Sequence, residues 1–479
     1  MTDSAASTVI ANVLASRYAS AAMREVWSAA HKIRSERRLW VAVMRAQREL
    51  GVAIPETAIA AYEAHVDNID LSSIADRERV TRHDVKARIE EFNALAGHEF
   101  IHLGMTSRDL TENVEQCQVR DGLLIVRDRV VAALAALAHL AAEHADQPMT
   151  ARSHNVPAQV TSLGKRFASA ADELLIAYDR LADLIERYPL RGIKGPVGTS
   201  QDMLDLLGGD PAALDEFESR VRAHLGFTTA LTSVGQVYPR SLDFDVVSAL
   251  SQVAAGPSSL ATTMRLMAGQ ELLTEGFAKG QVGSSAMPHK MNARSCERVN
   301  GFAAILRGHV TMVNELSGAQ WNEGDVACSV VRRVALPDAF FAIDGLFETF
   351  LTVLGEVGVY SEAIEAELRS NLPFLATTAF LMAAVKAGMG REEAHALIKE
   401  HALNAVARRR AGSYDNPLVT DLGADPRFPL DEAELASLIE RPMAFAGAAL
   451  SQVEQVSARV GGICAEHPAA AGYTPAPIL

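Results

Sequence analysis

The chain has 479 residues, of which 49% are hydrophobic, 22% charged and only 6% aromatic, and it carries a net charge of −14. That length allows two to four domains, and the balance is ordinary for a globular protein with a substantial core. The acidic excess argues against a general nucleic-acid binder, which carries a basic patch or surplus, but leaves room for one small basic pocket for a phosphate.

The opening residues, Met1-Thr2-Asp3-Ser4, lack the basic region and apolar core of a secretory signal. The longest strongly apolar run, 130–142, is broken by His139 and falls short of the ~20 residues that span a bilayer, so no membrane partner is expected. Cys117, Cys296, Cys328 and Cys464 show neither zinc-site spacing nor a disulfide framework. Four reduced thiols in a cytoplasmic protein are the expectation, with no metal site.

Residues 1–112 read as shorter helices. From 113 to 146 there is no proline and a single glycine, Gly122. Val126, Val130, Leu134, Leu137 and Leu140 step there by three or four and so share one helical face. Between 165 and 188 the series Phe167, Ala171, Leu174, Tyr178, Leu181 and Ile185 does the same, nearly as a heptad seam. Three later stretches also read as long helices: 242–275 with a kink at Gly256-Pro257, 292–320, and 333–368. Five long helices with sparse turn signals, and no useful strand alternation, predict an all-α protein built on a central bundle. Three helical domains follow: 1–112, the bundle 113–368, and 369–479. The last is entered through Ser370-Asn371-Leu372-Pro373, and the tail from 467 onward is expected to be irregular.

The most informative segment is Gly280-Gln281-Val282-Gly283-Ser284-Ser285-Ala286-Met287-Pro288-His289-Lys290-Met291-Asn292. A loop of this composition can close over an anion, because its backbone N–H groups and hydroxyls donate hydrogen bonds and Lys290 supplies charge. It also reads as a polar connection between two helices. The pattern G-S-S-x-x-P-x-K-x-N resembles the signature loop of the fumarase/aspartase superfamily. That resemblance implies a three-domain helical fold, elimination of fumarate or a closely related reaction, and Ser284 as the base that removes a carbon-bound proton. A free serine hydroxyl is a poor base, so oxyanion donors and Lys290 would have to lower its pKa.

Further segments resemble the adenylosuccinate lyase family within that superfamily. They are Thr81-Arg82-His83-Asp84-Val85, His102-Leu103-Gly104-Met105-Thr106-Ser107, and Arg152-Ser153-His154-Asn155-Val156-Pro157-Ala158-Gln159 followed by Lys165, with Ser153 in place of a threonine. Ser16-Arg17-Tyr18-Ala19-Ser20 is similar to a nucleotide-contacting segment, and Gln236 stands where the family has a substrate-binding glutamine. The resemblance covers about residues 10 to 375. As local features some of these have plainer readings: His83-Asp84 as a helix start, Thr106-Ser107 with Asp109 as an N-cap cluster, and His154 in a short polar loop between helices.

The resemblance implies small-molecule nucleotide substrates, adenylosuccinate and the succinylated carboxamide intermediate SAICAR, and no cofactor. The proton to be removed sits beside a carboxylate, so the transition state carries a dianionic carboxylate that needs oxyanion donors. Lys290, Asn292, Thr106 and Ser107 suit that task. His154 would protonate the leaving nitrogen, since imidazole titrates near neutral pH, while His83 binds the phosphate or orients the acid. Arg298, Ser329 and Arg333 match phosphate-binding positions; Arg17, Tyr18, Arg82, Asp84, Ser153 and Gln236 complete the expected substrate contacts. The chain departs from the family at Ala293, where a proline usually follows Asn292, and at Gly324, often an arginine. Rival readings are another fumarate-releasing lyase such as argininosuccinate lyase, or a non-catalytic structural homologue.

Thr106-Ser107 and His154 lie at opposite ends of the helix predicted from 113 to 146, about 50 Å long at ~1.5 Å per residue. The short loop before His154 returns only part of that distance. A site that uses both must draw on two subunits, which agrees with the family's homotetrameric habit.

Overall fold

The structure is a computed structural model that describes residues 10–276, 287, 289–413 and 415–477. Ser284 and its neighbours in the signature loop lie outside the described residues.

Among the described residues six helices come first: α1 (Val13–Arg17), α2 (Ala21–Val26), α3 (Ala29–Glu49), α4 (Glu56–Ala64), α5 (Leu71–Thr81) and α6 (Asp84–Ala96). Five of them start where the sequence offers a side-chain N-cap: Asn12, Ser20, Ser28, Asp70 and His83 each accept from a backbone N–H of the first turn. Trp40, Met44, Tyr62 and Phe92 form the heart of a core beside the main one.

The bundle begins with α7 (Ser107–Glu143), 37 residues long. It starts at Ser107 rather than Asn113, because Thr106 caps it: the Thr106 N–H donates to Asp109 Oδ2 at 2.8 Å, half of a capping box. Apolar periodicity locates the buried face and misses this polar first turn. Next come β1 (Pro148–Ser153), β2 (Val156–Ser162) and α8 (Leu163–Arg187). The two strands pair antiparallel with a register shift at Ala151/Arg152. The expected short loop around His154 is therefore a β-hairpin, and its few residues gave no alternation to detect.

Small helices α9 (Gln201–Leu206) and α10 (Pro211–His224) pack beside α3, and the bundle resumes with α11 (Ser241–Val253) and α12 (Ala255–Gly269). The break at Ala254 falls just before Gly256-Pro257, which puts the proline in the first turn of α12, where its missing N–H does no harm. Then follow β3 (Leu273–Thr274), α13 (Arg294–Leu316), α14 (Cys328–Glu356), β4 (Gly358–Val359) and α15 (Ser361–Leu375). The helix expected from 333 to 368 is thus two helices, separated where Gly358 and Val359 pair with Thr274 and Leu273. The expected domain entry at 370–373 falls inside α15, with Pro373 in its last turns.

Glu115–Arg332, Gly122–Phe340 and Arg129–Glu348 step in the same direction along α7 and α14, so these helices run parallel. Phe340 stands 2.8 Å from where a Cβ on Gly122 would be, which is why the one glycine of α7 sits there. A glycine in mid-helix costs about 0.5–1 kcal/mol, which close helix contact offsets. Helix α13 runs the other way, so its first turn, just after the signature loop, lies at the C-terminal end of α7 and α14. That turn lacks a side-chain N-cap at Ala293. The Glu275 carboxylate takes its place, accepting the N–H groups of Ser295 at 2.9 Å and Cys296 at 2.8 Å.

Helices α16 (Thr377–Lys386), α17 (Arg391–Arg410), α18 (Leu418–Gly423) and α19 (Glu432–Leu438) enclose their own core around Phe380, Leu397 and Leu422. The chain then returns: α20 (Ala449–Glu466) and α21 (Pro468–Ala471) place Val453, Val460 and Ala470 in the bundle core. Residues 369–479 therefore divide between two cores, and part of the tail is helical.

Candidate active site

At the N-terminal end of α7 a fully buried carboxylate organises three segments. Asp109 Oδ1 accepts from Arg191 Nη1 at 2.5 Å, from Lys194 N–H at 2.9 Å and from Gly195 N–H at 3.0 Å, while Oδ2 holds the Thr106 cap. Arg191, also fully buried, donates in turn to the carbonyls of Gly192, Gly195 and Gly235. Gly235, the residue before Gln236, is thereby tied through Arg191 to Asp109, and the Gln236 N–H meets the Glu323 carbonyl at 2.6 Å. The neighbouring Gly324 has φ +122, and a Cβ there would stand 2.8 Å from Val237 Cγ2. An arginine does not fit this backbone, which gives the departure at 324 a steric reason.

One turn further along, Glu112 pairs with Arg240 at 2.9 Å, and Arg332 donates from Nε to Asp243 at 2.7 Å and from Nη1 to Glu115 at 2.6 Å. Arg332 Nη2 also reaches the Tyr238 hydroxyl. Burial works against the Arg332 charge, but Asp243 and Glu115 outweigh it and raise its pKa well above the usual value. The consecutive arginines thus separate. Arg332 is an internal tie, while Arg333 is exposed and Ser329 half-buried one turn earlier.

His83 is the N-cap of α6, its Nδ1 accepting the Lys86 N–H at 3.3 Å. A neutral ring so engaged carries its proton on Nε2, which faces outward as a donor. Arg82 beside it is exposed, in a left-handed conformation at φ 52. Asp84 holds Arg88 at 3.1 Å, and Arg88 Nε lies 2.7 Å from Glu36. Burial alone would raise the Asp84 pKa, but Arg88 lowers it; fully buried Glu36 is pushed up to about 7 by burial, against the pull of Arg88. The plain helix-start and N-cap readings of these motifs hold, and they coexist with an exposed imidazole edge.

His102 opens the His102–Ser107 motif. In the fold its Nδ1 accepts the Trp40 indole N–H at 3.1 Å, and burial lowers its pKa to about 4, with Asp109 and His83 both acting on it electrostatically. It is a second imidazole at this end of the bundle. The sequence marks Asp109 as part of the N-cap cluster, and the capping box bears that out, but no sequence signal distinguished His102 or Arg191 as anchors.

Partway along the bundle the Tyr18 ring packs edge-on against Phe302, centroids 5.1 Å apart. The guanidinium carbons of Arg298 and Arg17 lie 5.5 and 5.9 Å from the Tyr18 centroid. Arg17, Tyr18 and Arg298, placed far apart in sequence, thus meet as two cations on one ring.

The remaining candidates sit at the opposite end. His154 and Asn155 form the two-residue hairpin turn, with φ 53 and 61, the positive pair that a tight hairpin turn of this kind requires. Ser153 and His154 are exposed, and among the described residues His154 has no hydrogen-bond partner. Arg152 is anchored on Glu367 of α15. Lys290 and Asn292 border a cleft of about 490 Å³ with Arg265 and Leu266. Arg152, Asn155 and Lys165 border another of about 480 Å³, and Leu266 of α12 lines both. Among the described residues no group of three or more His, Cys, Asp or Glu side chains is arranged to hold a metal ion.

Residues 14–308 match the family described as Lyase, and residues 373–456 match the Adenylosuccinate lyase C-terminus. The adenylosuccinate lyase of Saccharomyces cerevisiae is 35% identical over 451 residues, 92% of each chain. The chain belongs to the adenylosuccinate lyase family. A second family member, from Methanothermobacter thermautotrophicus, is 29% identical over 450 residues, covering 92% of this chain and 96% of its own. The family match at 373–456 lies where sequence reading found little, since that region carries packing rather than motif residues. Solved structures extend the fold: a fumarate lyase from Mesorhizobium sp. BNC1 superposes with a TM-score of 0.78 at 24% identity, covering 92% of this chain and 98% of its own. A 3-carboxy-cis,cis-muconate lactonizing enzyme from Pseudomonas putida gives 0.80 at 20% identity, covering 94% and 99%. The long-helix bundle is therefore shared well beyond adenylosuccinate lyases.

Proposed function

We propose that this chain is a carbon–nitrogen lyase that releases fumarate from adenylosuccinate, leaving AMP, and from SAICAR, leaving AICAR. The carrying observation is the 35% identity with the Saccharomyces cerevisiae adenylosuccinate lyase over 92% of both chains.

In this reading Ser284 takes the proton beside the succinyl carboxylate. Lys290 and Asn292 from the loop side, and Thr106 and Ser107 from the capped end of α7, donate to the developing dianion. His154 protonates the leaving nitrogen; its place at a two-residue turn, with no competing internal partner among the described residues, supports that role. His83 offers Nε2–H to the phosphate or to the acid, with Arg82 and Asp84 beside it. Arg17, Tyr18, Arg298, Ser329 and Arg333 contact the nucleotide, and Ser153 and Gln236 the succinyl end.

Such a site needs more than one protomer. Helix α7, at 37 residues, is about 55 Å long at ~1.5 Å per residue. The roughly eleven residues from Glu143 to His154 reach about 37 Å even fully extended. We therefore propose a homotetramer with shared sites, a reading supported by exposed apolar residues on outward faces of the bundle helices: Ile176, Leu266, Ile305, Val330 and Val334. All four cysteines are free thiols, which supports a cytoplasmic setting.

The test is fumarate release by the purified protein from adenylosuccinate, with argininosuccinate as control. Turnover of the first substrate alone is expected. A folded, assembled protein that leaves adenylosuccinate intact would remove the proposal.

A further inference from the structure

Asp344 and Glu348, one turn apart on α14, both face Arg129 of α7, and all three are buried. Arg129 Nε lies 2.9 Å from Glu348 Oε1 and 3.5 Å from Asp344 Oδ1. One guanidinium does not neutralise two carboxylates in a poorly polarisable interior, so neutral donors must carry the excess. They come from two distant parts of the chain. The Ser20 N–H donates to Asp344 Oδ2 at 2.6 Å. From the tail, the Tyr473 hydroxyl donates to Glu348 Oε1 at 2.6 Å and the Ala476 N–H to Glu348 Oε2 at 3.0 Å. The Tyr473 ring also covers Arg129, whose guanidinium carbon is 3.4 Å from the ring centroid.

Ser20 ends the Ser16–Ser20 segment, and Tyr18 within it holds Arg298 and Arg17 against its ring. We propose that Tyr473 and the tail around it are positioning elements for the nucleotide-contacting Arg17-Tyr18 segment, acting through Glu348, Arg129 and Asp344. The inference rests on the adenylosuccinate lyase reading above. With the tail in place, Glu348 has two donors of its own and Arg129 is shared between the carboxylates. Without it, Glu348 draws Arg129 to itself and leaves Asp344, in a buried position, held by Ser20 alone through its N–H and its hydroxyl. Burial already pushes Asp344 up to about 6, against the Ser20 N–H and Arg129. Losing Arg129 favours its protonation further, and a neutral carboxyl grips the Ser20 N–H less firmly. The segment then loses its tether.

The experiment compares Tyr473→Ala, Tyr473→Phe and Arg459→Ala in the full chain, reading kcat and KM for adenylosuccinate and the Kd of AMP by calorimetry. Arg459→Ala breaks the exposed 2.6 Å pair between α20 and Asp179 of α8, a change on the same C-terminal helix that leaves the cluster untouched and should cost little stability. Tyr473→Ala is expected to weaken AMP binding and raise KM about tenfold, the scale of one lost hydrogen bond to a charged group. Its kcat and its affinity for fumarate should stay near wild type. Tyr473→Phe keeps the ring over Arg129 and should fall between, while Arg459→Ala should match wild type. An active wild type with unchanged AMP affinity in Tyr473→Ala, or an equal loss in Arg459→Ala, overturns the positioning role. A wild type that releases no fumarate overturns the function reading instead.

Discussion

Asp109 carries the capped end of α7, and replacing it separates its energetic share from its geometric one. The carboxylate takes four donors: Thr106 N–H, Arg191 Nη1, Lys194 N–H and Gly195 N–H. Asp109→Ala leaves the fully buried Arg191 without its counter-ion, and breaking a buried pair from one side costs about 3–5 kcal/mol. Three backbone N–H groups also lose their acceptor, at about 1 kcal/mol each or more. Asp109→Asn keeps an oxygen for Lys194 and Gly195 but removes the charge facing Arg191 and turns an N–H toward the Thr106 N–H. Its expected cost is smaller, about 2–3 kcal/mol. Urea unfolding followed by circular dichroism at fixed protein concentration gives the ranking alanine, then asparagine, then wild type. Fumarate release by the folded protein gives the second readout, because Thr106 and Ser107 hang on this cap. A displacement of ~1 Å at a catalytic donor costs about 100-fold, so kcat/KM should fall on that scale in both variants. An alanine variant within about 1 kcal/mol of wild type, or with wild-type turnover, would refute the reasoning.

His102, lowered to about 4 by burial, lends stability that is present above its unfolded pKa near 6.5 and is lost as pH falls toward 4. His102→Asn, which tolerates the left-handed backbone at φ 67, should therefore flatten the pH dependence of unfolding by up to about 3 kcal/mol over that window, and an unchanged slope counts against it. Gly324→Arg puts a long side chain on a backbone at φ +122 where a Cβ would stand 2.8 Å from Val237 Cγ2. A loss of about 1–3 kcal/mol in urea unfolding and a raised substrate KM are expected, and tighter nucleotide binding would show that the loop accommodates the side chain. Mixing inactive Ser284→Ala with inactive His154→Ala protein should restore part of the fumarate release, whereas no recovery after verified subunit exchange speaks against shared sites.

The bundle was legible from the sequence because its signal is local: a helix that buries one face repeats its apolar residues every three or four positions, and 126–140 and 167–185 do so. Motif letters were legible too, since the spacing within Thr81–Val85 or Arg152–Gln159 survives whatever the fold does. Element ends were less so, because a helix start depends on which polar group reaches an N–H. Glu275 does this for Ser295 and Cys296 from outside their helix, and no window around 294 contains it. The split at 357–360 likewise follows from a strand pairing with 273–274, a contact between positions far apart in the chain.

Residue type and order were enough to place the chain in its family and to say that it is helical. Whether each motif residue is an anchor or a contact depends on burial and on partners brought from elsewhere. Packing makes Arg332 an internal tie and leaves Arg333 exposed, and it makes His102 a half-buried imidazole whose pKa is lowered to about 4. It also keeps Thr106 and His154 a full helix length apart. Those distinctions rest on desolvation and charge pairing across the fold, and no local stretch of sequence contains either.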